Sequence, residues 1–285
     1  MLLIEELIKQ YNPKTADETK AALREIIQSI VLIGLSRGGF FEKGSFYGGT
    51  ALRIFHGLQR YSEDLDFTLN TKDTDFSLQP YIKSIREVGQ SYGIDFEFSI
   101  KEKINKTPIE SAFAKINTYE TFISLKISQE FTDYLHKNET LKVKFEVDTN
   151  PSLGFNSEIA WLDNPEFAPI SVLDLPSLFS GKIHAVLCRN YKNNVKGRDY
   201  YDLLFYIKKR VSPNLVYLKN KLIESNVIKE NDDFNIDILK KMLKDKIKRV
   251  DFNMVKDDAS KFIFKSESID MYSLELFDYA IDQIK

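Results

Sequence analysis

Apolar residues near the N-terminus fall at helical spacing: Leu2, Leu3 and Leu7, then Leu23, Ile26, Ile27, Ile30 and Val31. Thr15 or Asp17 is placed to cap the longer run, so helix is expected over the first 37 residues. Glycines then punctuate the chain at Gly38-Gly39 and from Gly44 to Gly49, and Thr50 to His56 reads as a short helix. From Asp64 to Leu69 the pattern changes to strict alternation, the period of a strand with one buried face. Ser77 to Tyr92 returns to helical spacing, and Ile94 to Ile100 alternates again. Two further strand-like runs are expected at Ile116 to Ile127 and Leu141 to Val147. In the second, Val143, Phe145 and Val147 share one face, while Lys142, Lys144, Glu146 and Asp148 share the other.

The character changes after Asn150-Pro151. A loop containing Pro165 and Pro169 leads into Ile170 to Leu173, and the pattern is helical from there on. Helices are expected at Asp174–Asn190, Arg198–Arg210, Pro213–Ser225, Asn235–Arg249 and Tyr272–Ile284. The fold class is therefore α+β, with an α/β domain over 1–170 and a mostly helical domain over 171–285.

Composition narrows the chemistry. The chain has 285 residues, 43% of them hydrophobic, and only 12 Gly and 8 Pro, which excludes collagen-like and low-complexity classes. A single cysteine, Cys188, rules out a disulfide framework or a Cys-cluster metal site. The scattered His56, His136 and His184 speak against a His-rich one. A net charge of −2 argues against a uniformly basic nucleic-acid binder and leaves room for a local basic face. The longest apolar stretch, Ile30 to Leu35, is far below the roughly 20 residues that span a bilayer. A cytoplasmic protein without membrane attachment is expected.

The most informative segment runs from Phe46-Tyr47-Gly48-Gly49-Thr50 to Ser62-Glu63-Asp64-Leu65-Asp66-Phe67. Residues two apart on a strand share a face, so Asp64 and Asp66 project together. Their mutual repulsion is relieved by a divalent cation, and carboxylate and phosphate oxygens are what Mg²⁺ prefers. Gly48, Gly49 and Thr50 open a helix, whose free N–H groups and dipole attract anions. A third carboxylate, Glu146, joins Asp64 and Asp66 if its strand neighbours theirs. Metal and phosphates at one place point to nucleoside triphosphate chemistry.

The run from Tyr47 to Phe67 resembles the first motif of the DNA polymerase β-type nucleotidyltransferases. Its form here, G-G-T-A-L-R followed by R-Y-S-E-D-L-D-F, resembles the AbiEii toxin branch found in type IV toxin–antitoxin and abortive-infection systems. Lys142 to Glu146 resembles that family's second motif, and Asp174 through Lys182 its third. Arg198-Asp199-Tyr200-Tyr201-Asp202 resembles its fourth, R-D-x-x-D, and the four stand in family order over residues 46 to 203.

The resemblance implies a polymerase β-like domain with a mixed sheet flanked by helices. It implies Mg²⁺, or Mn²⁺, held by Asp64, Asp66 and Glu146. Lys182 would neutralise the triphosphate, and Asp199 would orient it or meet the nucleotide. Gly48, Gly49, Thr50, Ser62, Lys142, Arg198 and Asp202 are assigned to nucleotide binding. The expected reaction moves a nucleotide from an NTP to an acceptor hydroxyl, with a tRNA 3′ end as acceptor and a cognate antitoxin as partner. Rival readings are a small-molecule or protein acceptor, or a nucleotide-binding module without transfer. Lys208 to Arg249 carries twelve Lys/Arg against six Asp/Glu, which reads as a solvated face or as an RNA surface built on Lys240, Lys241 and Lys244. His184 and Cys188 read as packing residues and His56 as a helix cap.

Overall fold

The computed structural model describes residues 4–100, 109–117, 140–189, 195–264 and 269–285. The strand expectation for residues 118–127 lies outside these. The chain divides into two compact units. The first comprises Met1–Thr50, Glu63–Pro151 and Ile159–Val172; the second comprises Ala51–Ser62, Ser152–Glu158 and Leu173–Lys285.

The expected N-terminal helix is two helices, α1 (Ile4–Gln10) and α2 (Ala16–Arg37). Pro13 lies in the break, and Thr15 restarts the helix by accepting a hydrogen bond from the Glu18 N–H at 3.2 Å. The glycine-punctuated stretch holds a short strand, β1 (Gly44–Tyr47), and α3 begins at Gly48 and runs to His56. Next come β2 (Leu65–Leu69), α4 (Gln79–Ser91), β3 (Glu97–Ile100), β4 (Ile109–Asn117) and β5 (Thr140–Asp148). The proline-containing region expected as loop forms β6 (Ser157–Leu162) and β7 (Ala168–Leu173).

These strands make one mixed seven-stranded sheet among the described residues, in the order β3-β4-β5-β2-β1-β7-β6. β2 lies centrally, antiparallel to β1 and parallel to β5. Parallel neighbours need a long crossover, and α4 with the β3–β4 pair intervenes in the chain between β2 and β5. The inward faces are apolar: Phe46, Phe67, Phe145 and Val147 are fully buried. Phe67 stacks obliquely on Phe46 and meets Phe40 edge-on, each at 5.1 Å between ring centres. Helices α2 and α4 pack together in this unit, and Ile27, Ile30 and Val31 of α2 are buried.

The second unit is helical. It contains α5 (Leu175–Cys188), α6 (Gly197–Lys208), α7 (Leu215–Glu224), α8 (Ile236–Ile247), α9 (Phe252–Ala259) and α10 (Leu274–Asp282). Asp174 caps α5 by accepting from the Ser177 N–H at 2.9 Å. Helix α6 packs against α5, α9 and α10. Its first residue has to be glycine, since a Cβ on Gly197 would come within 2.0 Å of the Val255 carbonyl oxygen. That close approach fixes where α6 starts, and hence where Asp199 and Asp202 are presented. Among the described residues no helix is long and apolar enough to cross a membrane.

Candidate active site

Within the first unit, strand pairing sets the arrangement. Asp66 of β2 stands in register with Tyr47 of β1 on one side and Glu146 of β5 on the other. The condition attached to Glu146 by the sequence is met: its strand neighbours that of Asp66. Leu65 and Phe67 are buried, whereas Asp66 and Glu146 are half-buried, as alternation requires. Asp64 lies just before β2 and is exposed.

Two local features fix the approach to β2. Gly48 has φ +85°, and a Cβ there would fall 2.6 Å from Asp66 Oδ2. Any other residue would both strain the backbone and displace the carboxylate. Thr50, expected to cradle phosphate, is buried and donates its hydroxyl to the Asp64 main-chain carbonyl. The hydroxyl thus ties the start of α3 to the residue that leads into β2.

Glu146 accepts a hydrogen bond from Ser111 Oγ at 2.9 Å and pairs with Lys144 Nζ at 2.7 Å. Lys144, not Lys142, is therefore the lysine of this strand that meets Glu146. Lys142 is exposed and stands opposite Lys115 of β4. Among the described residues no three His, Cys, Asp or Glu side chains are gathered as a metal would need. The fit to Mg²⁺ is at the level of backbone placement and donor type: hard carboxylate oxygens on neighbouring strands, with Asp64 two residues from Asp66.

Within the second unit a buried charge network joins α5, α6 and the 51–62 segment. Lys182 Nζ lies 2.8 Å from both Asp199 Oδ1 and Asp202 Oδ2. Arg60 grips Asp202 in a bidentate fork, Nε to Oδ1 and Nη2 to Oδ2, each 2.7 Å. Arg189 Nη1 closes on the other oxygen of Asp199. Asp202 is wholly buried and Arg60 nearly so, while Lys182 keeps 15% of its side chain exposed.

Burial pushes the Asp199 carboxyl up, but Lys182 and Arg189 outweigh it and hold the group well below the usual carboxylate range. Asp202 is likewise lowered, by Arg60 and Lys182 against its burial. Burial draws the Lys182 ammonium down, and the two aspartates more than restore it, so it stays charged. Three cations face two carboxylates, which leaves the cluster one positive charge in excess.

Ser62 is half-buried in the connection between α3 and β2. Arg198, expected on a carboxylate or phosphate, lays its guanidinium over the Phe262 ring at 3.9 Å. His184 Nε2 meets Ser225 Oγ at 2.7 Å, and burial with the nearby Lys221 charge lowers its pKa to about 4. Burial pushes the Cys188 thiol up, away from a reactive thiolate. His56 ends α3, and its buried Nε2 has no hydrogen-bond partner among the described residues.

The basic α8 face is largely spent within the unit. Lys244 pairs with Asp278 and Asp282, Lys240 donates to the Asp282 carbonyl, and Lys246 donates to the carbonyls of Leu187 and Arg189. Of the lysines read as a solvated face or an RNA surface, Lys240 and Lys244 thus have partners within the unit. Sequence reasoning missed Arg60, Lys144 and Arg189. Lys144 shares a strand face with Glu146 and was findable from the alternation. The partners of Arg60 and Arg189 lie on α6, and no local spacing announces them.

A family model described as nucleotidyl transferase AbiEii toxin, type IV TA system, matches residues 30–277. Among curated proteins none matches. Of the solved structures, MenT4, a nucleotidyltransferase toxin from Mycobacterium tuberculosis H37Rv, is similar at 15% identity and TM-score 0.51, over 100% of both chains. JHP933 from Helicobacter pylori is similar at 18% identity and TM-score 0.48, over 92% of this chain and 88% of its own. The likeness to MenT4 shows a shared fold.

Proposed function

This chain belongs to the AbiEii nucleotidyltransferase toxin family of type IV toxin–antitoxin systems, and from that premise we propose that it transfers a nucleotide from an NTP to a hydroxyl of RNA, the 3′ end of a tRNA. The observation that carries the site assignment is the register of Asp66 against Glu146. Asp64, Asp66 and Glu146 would hold Mg²⁺, with Mn²⁺ as a substitute. When bound, the metal supplies charge neutralisation and alignment of the triphosphate.

The acceptor oxygen attacks the α-phosphorus in line. One P–O bond forms, the bond to the β-phosphate bridging oxygen breaks, and pyrophosphate leaves with that electron pair. Asp66 or Glu146 takes the proton of the acceptor hydroxyl. The backbone N–H groups of Gly48 and Gly49 at the start of α3 receive phosphate oxygens, and the glycines allow close approach. Lys182 acts as a point charge on the triphosphate. Asp199 and Asp202 hold its ammonium from two sides, and Arg60 fixes Asp202 in turn, so Asp202 and Arg60 are positioning residues. The excess positive charge of this cluster suits a polyanion. A cognate antitoxin is the protein partner the family implies, and a reaction on NTP and tRNA would take place in the cytoplasm.

The test offers each α-labelled NTP with Mg²⁺ and total cellular RNA, with Asp64→Ala/Asp66→Ala as control. Label in a discrete RNA band, absent with the variant, supports the proposal. Label on a protein or small molecule instead would move the acceptor class, and bound NTP with no transfer anywhere would make this a silent binding module.

A further inference from the structure

Helix α6 carries Asp199 and Asp202 in its first turns and a different chemistry at its far end. There, a cavity of about 610 Å³ opens between α6, α10 and the residues leading into α10. Leu204, Ile207 and Leu276 form an apolar floor. Tyr279 and Met271 stand at its edge with 67% and 79% of their surface exposed, unusually high for large apolar side chains lining one hollow.

The charged side chains around this hollow are all cationic. Its described lining includes Lys208, Arg210 and Lys285 and no Asp or Glu side chain. None of the three makes an ion pair with a described residue. That separates them from the α8 lysines, most of which are engaged within the unit. Lys208 also complements the negative end of the α6 dipole. Arg210 has a further peculiarity: it closes α6 in the left-handed region, φ +56°, where glycine fits without strain. The sequence keeps a long cationic side chain at a backbone position that disfavours one.

We propose that this hollow is a binding site for an unpaired nucleotide of the nucleic-acid acceptor, its base against Tyr279 and the apolar floor and its phosphates at Arg210, Lys208 and Lys285. An exposed aromatic beside unpaired cations is the combination by which proteins hold single-stranded nucleic acid without reading its sequence. The volume falls within the roughly 300–1,000 Å³ of small-ligand sites, a size suited to one nucleotide. The proposal rests on the RNA-acceptor reading above, and its test separates the two.

The full chain is titrated into a 5′-fluorescein-labelled 12-nucleotide single-stranded RNA and followed by anisotropy over a salt series. Arg210→Gly and Tyr279→Ser are the variants. Each is expected to weaken RNA binding about tenfold, and Arg210→Gly to reduce the salt slope by about 0.7, one phosphate contact. NTP affinity should stay at the wild-type value, and Arg210→Gly should melt at the wild-type temperature or above it, which excludes a folding defect. RNA affinity within twofold of wild type in both variants overturns the site, as does a wild-type protein that does not bind the RNA; an acidic protein partner would then be the occupant to pursue. RNA labelled with unchanged KM by both variants overturns the site and leaves the acceptor reading standing. Weakened RNA binding in the variants, with no RNA ever labelled by the wild type, supports the site and overturns the acceptor reading.

Discussion

The strands β2 and β5 and the helices α5 and α6 each bring carboxylates together, under opposite conditions. Asp64, just before β2, is exposed, and Asp66 and Glu146 on the strands are half-buried. On the helices, Asp199 and Asp202 are buried, and each is held by two cations. The strand carboxylates can change ligands without disturbing the core. The helix carboxylates cannot, because a buried charge deprived of its partner pays its desolvation in full. The first region is thus suited to chemistry and the second to holding Lys182 in place.

The largest expected effect comes from breaking the first region. Asp66→Ala should lower transfer by at least about a thousandfold, the scale at which removing a key transition-state interaction acts, with the melting temperature within a few degrees of wild type. A large fall in melting temperature would mean that Asp66 is a structural residue. Breaking the second region should do the reverse in stability: Arg60→Ala leaves Asp202 with Lys182 alone and should cost about 3–5 kcal/mol in urea unfolding. Replacing both partners, Arg60→Met with Asp202→Leu, should recover most of that stability while transfer stays impaired, since Lys182 keeps only Asp199.

Lys144→Ala should have a smaller effect. Its pair with Glu146 is about one-third exposed on both sides, so unfolding should change by less than about 1 kcal/mol. The smallest effect concerns pH. With its pKa near 4 in the fold and 6.5 as the ordinary value, His184 takes up a proton more readily in the unfolded chain. Its contribution to stability is therefore complete above about pH 6.5 and declines as pH falls toward 4. A His184→Gln variant should show a flatter melting-temperature profile across that window. Asp199 and Asp202, held below the ordinary carboxylate value, add a second decline only below about pH 4.

The α+β class and the alternation that places Asp66 and Glu146 were legible because each rests on local spacing. The pairing of β2 with β5 was conditional, since register across a crossover has no local signature. β1 was hidden by its length of four residues and the surrounding glycines. β6 was hidden by exposure: most of Ser157–Leu162 faces solvent, so no alternation of burial marks it. The R-D-x-x-D spacing on α6 pointed to two acids one turn apart, but not to Arg60, whose fork closes 142 residues away in sequence. Local spacing did not announce the partners that Thr50 and Arg198 have within the fold, a main-chain carbonyl and an aromatic ring.

The central claim is that Asp66 and Glu146 act as one site across two strands. Glu146→Gln keeps the shape and the Ser111 hydrogen bond and removes only the charge. Single-turnover transfer from an α-labelled NTP to RNA, measured beside thermal melting, tests the claim most directly. Transfer is expected to fall by at least about a hundredfold at an unchanged melting temperature. Wild-type transfer by Glu146→Gln would contradict it.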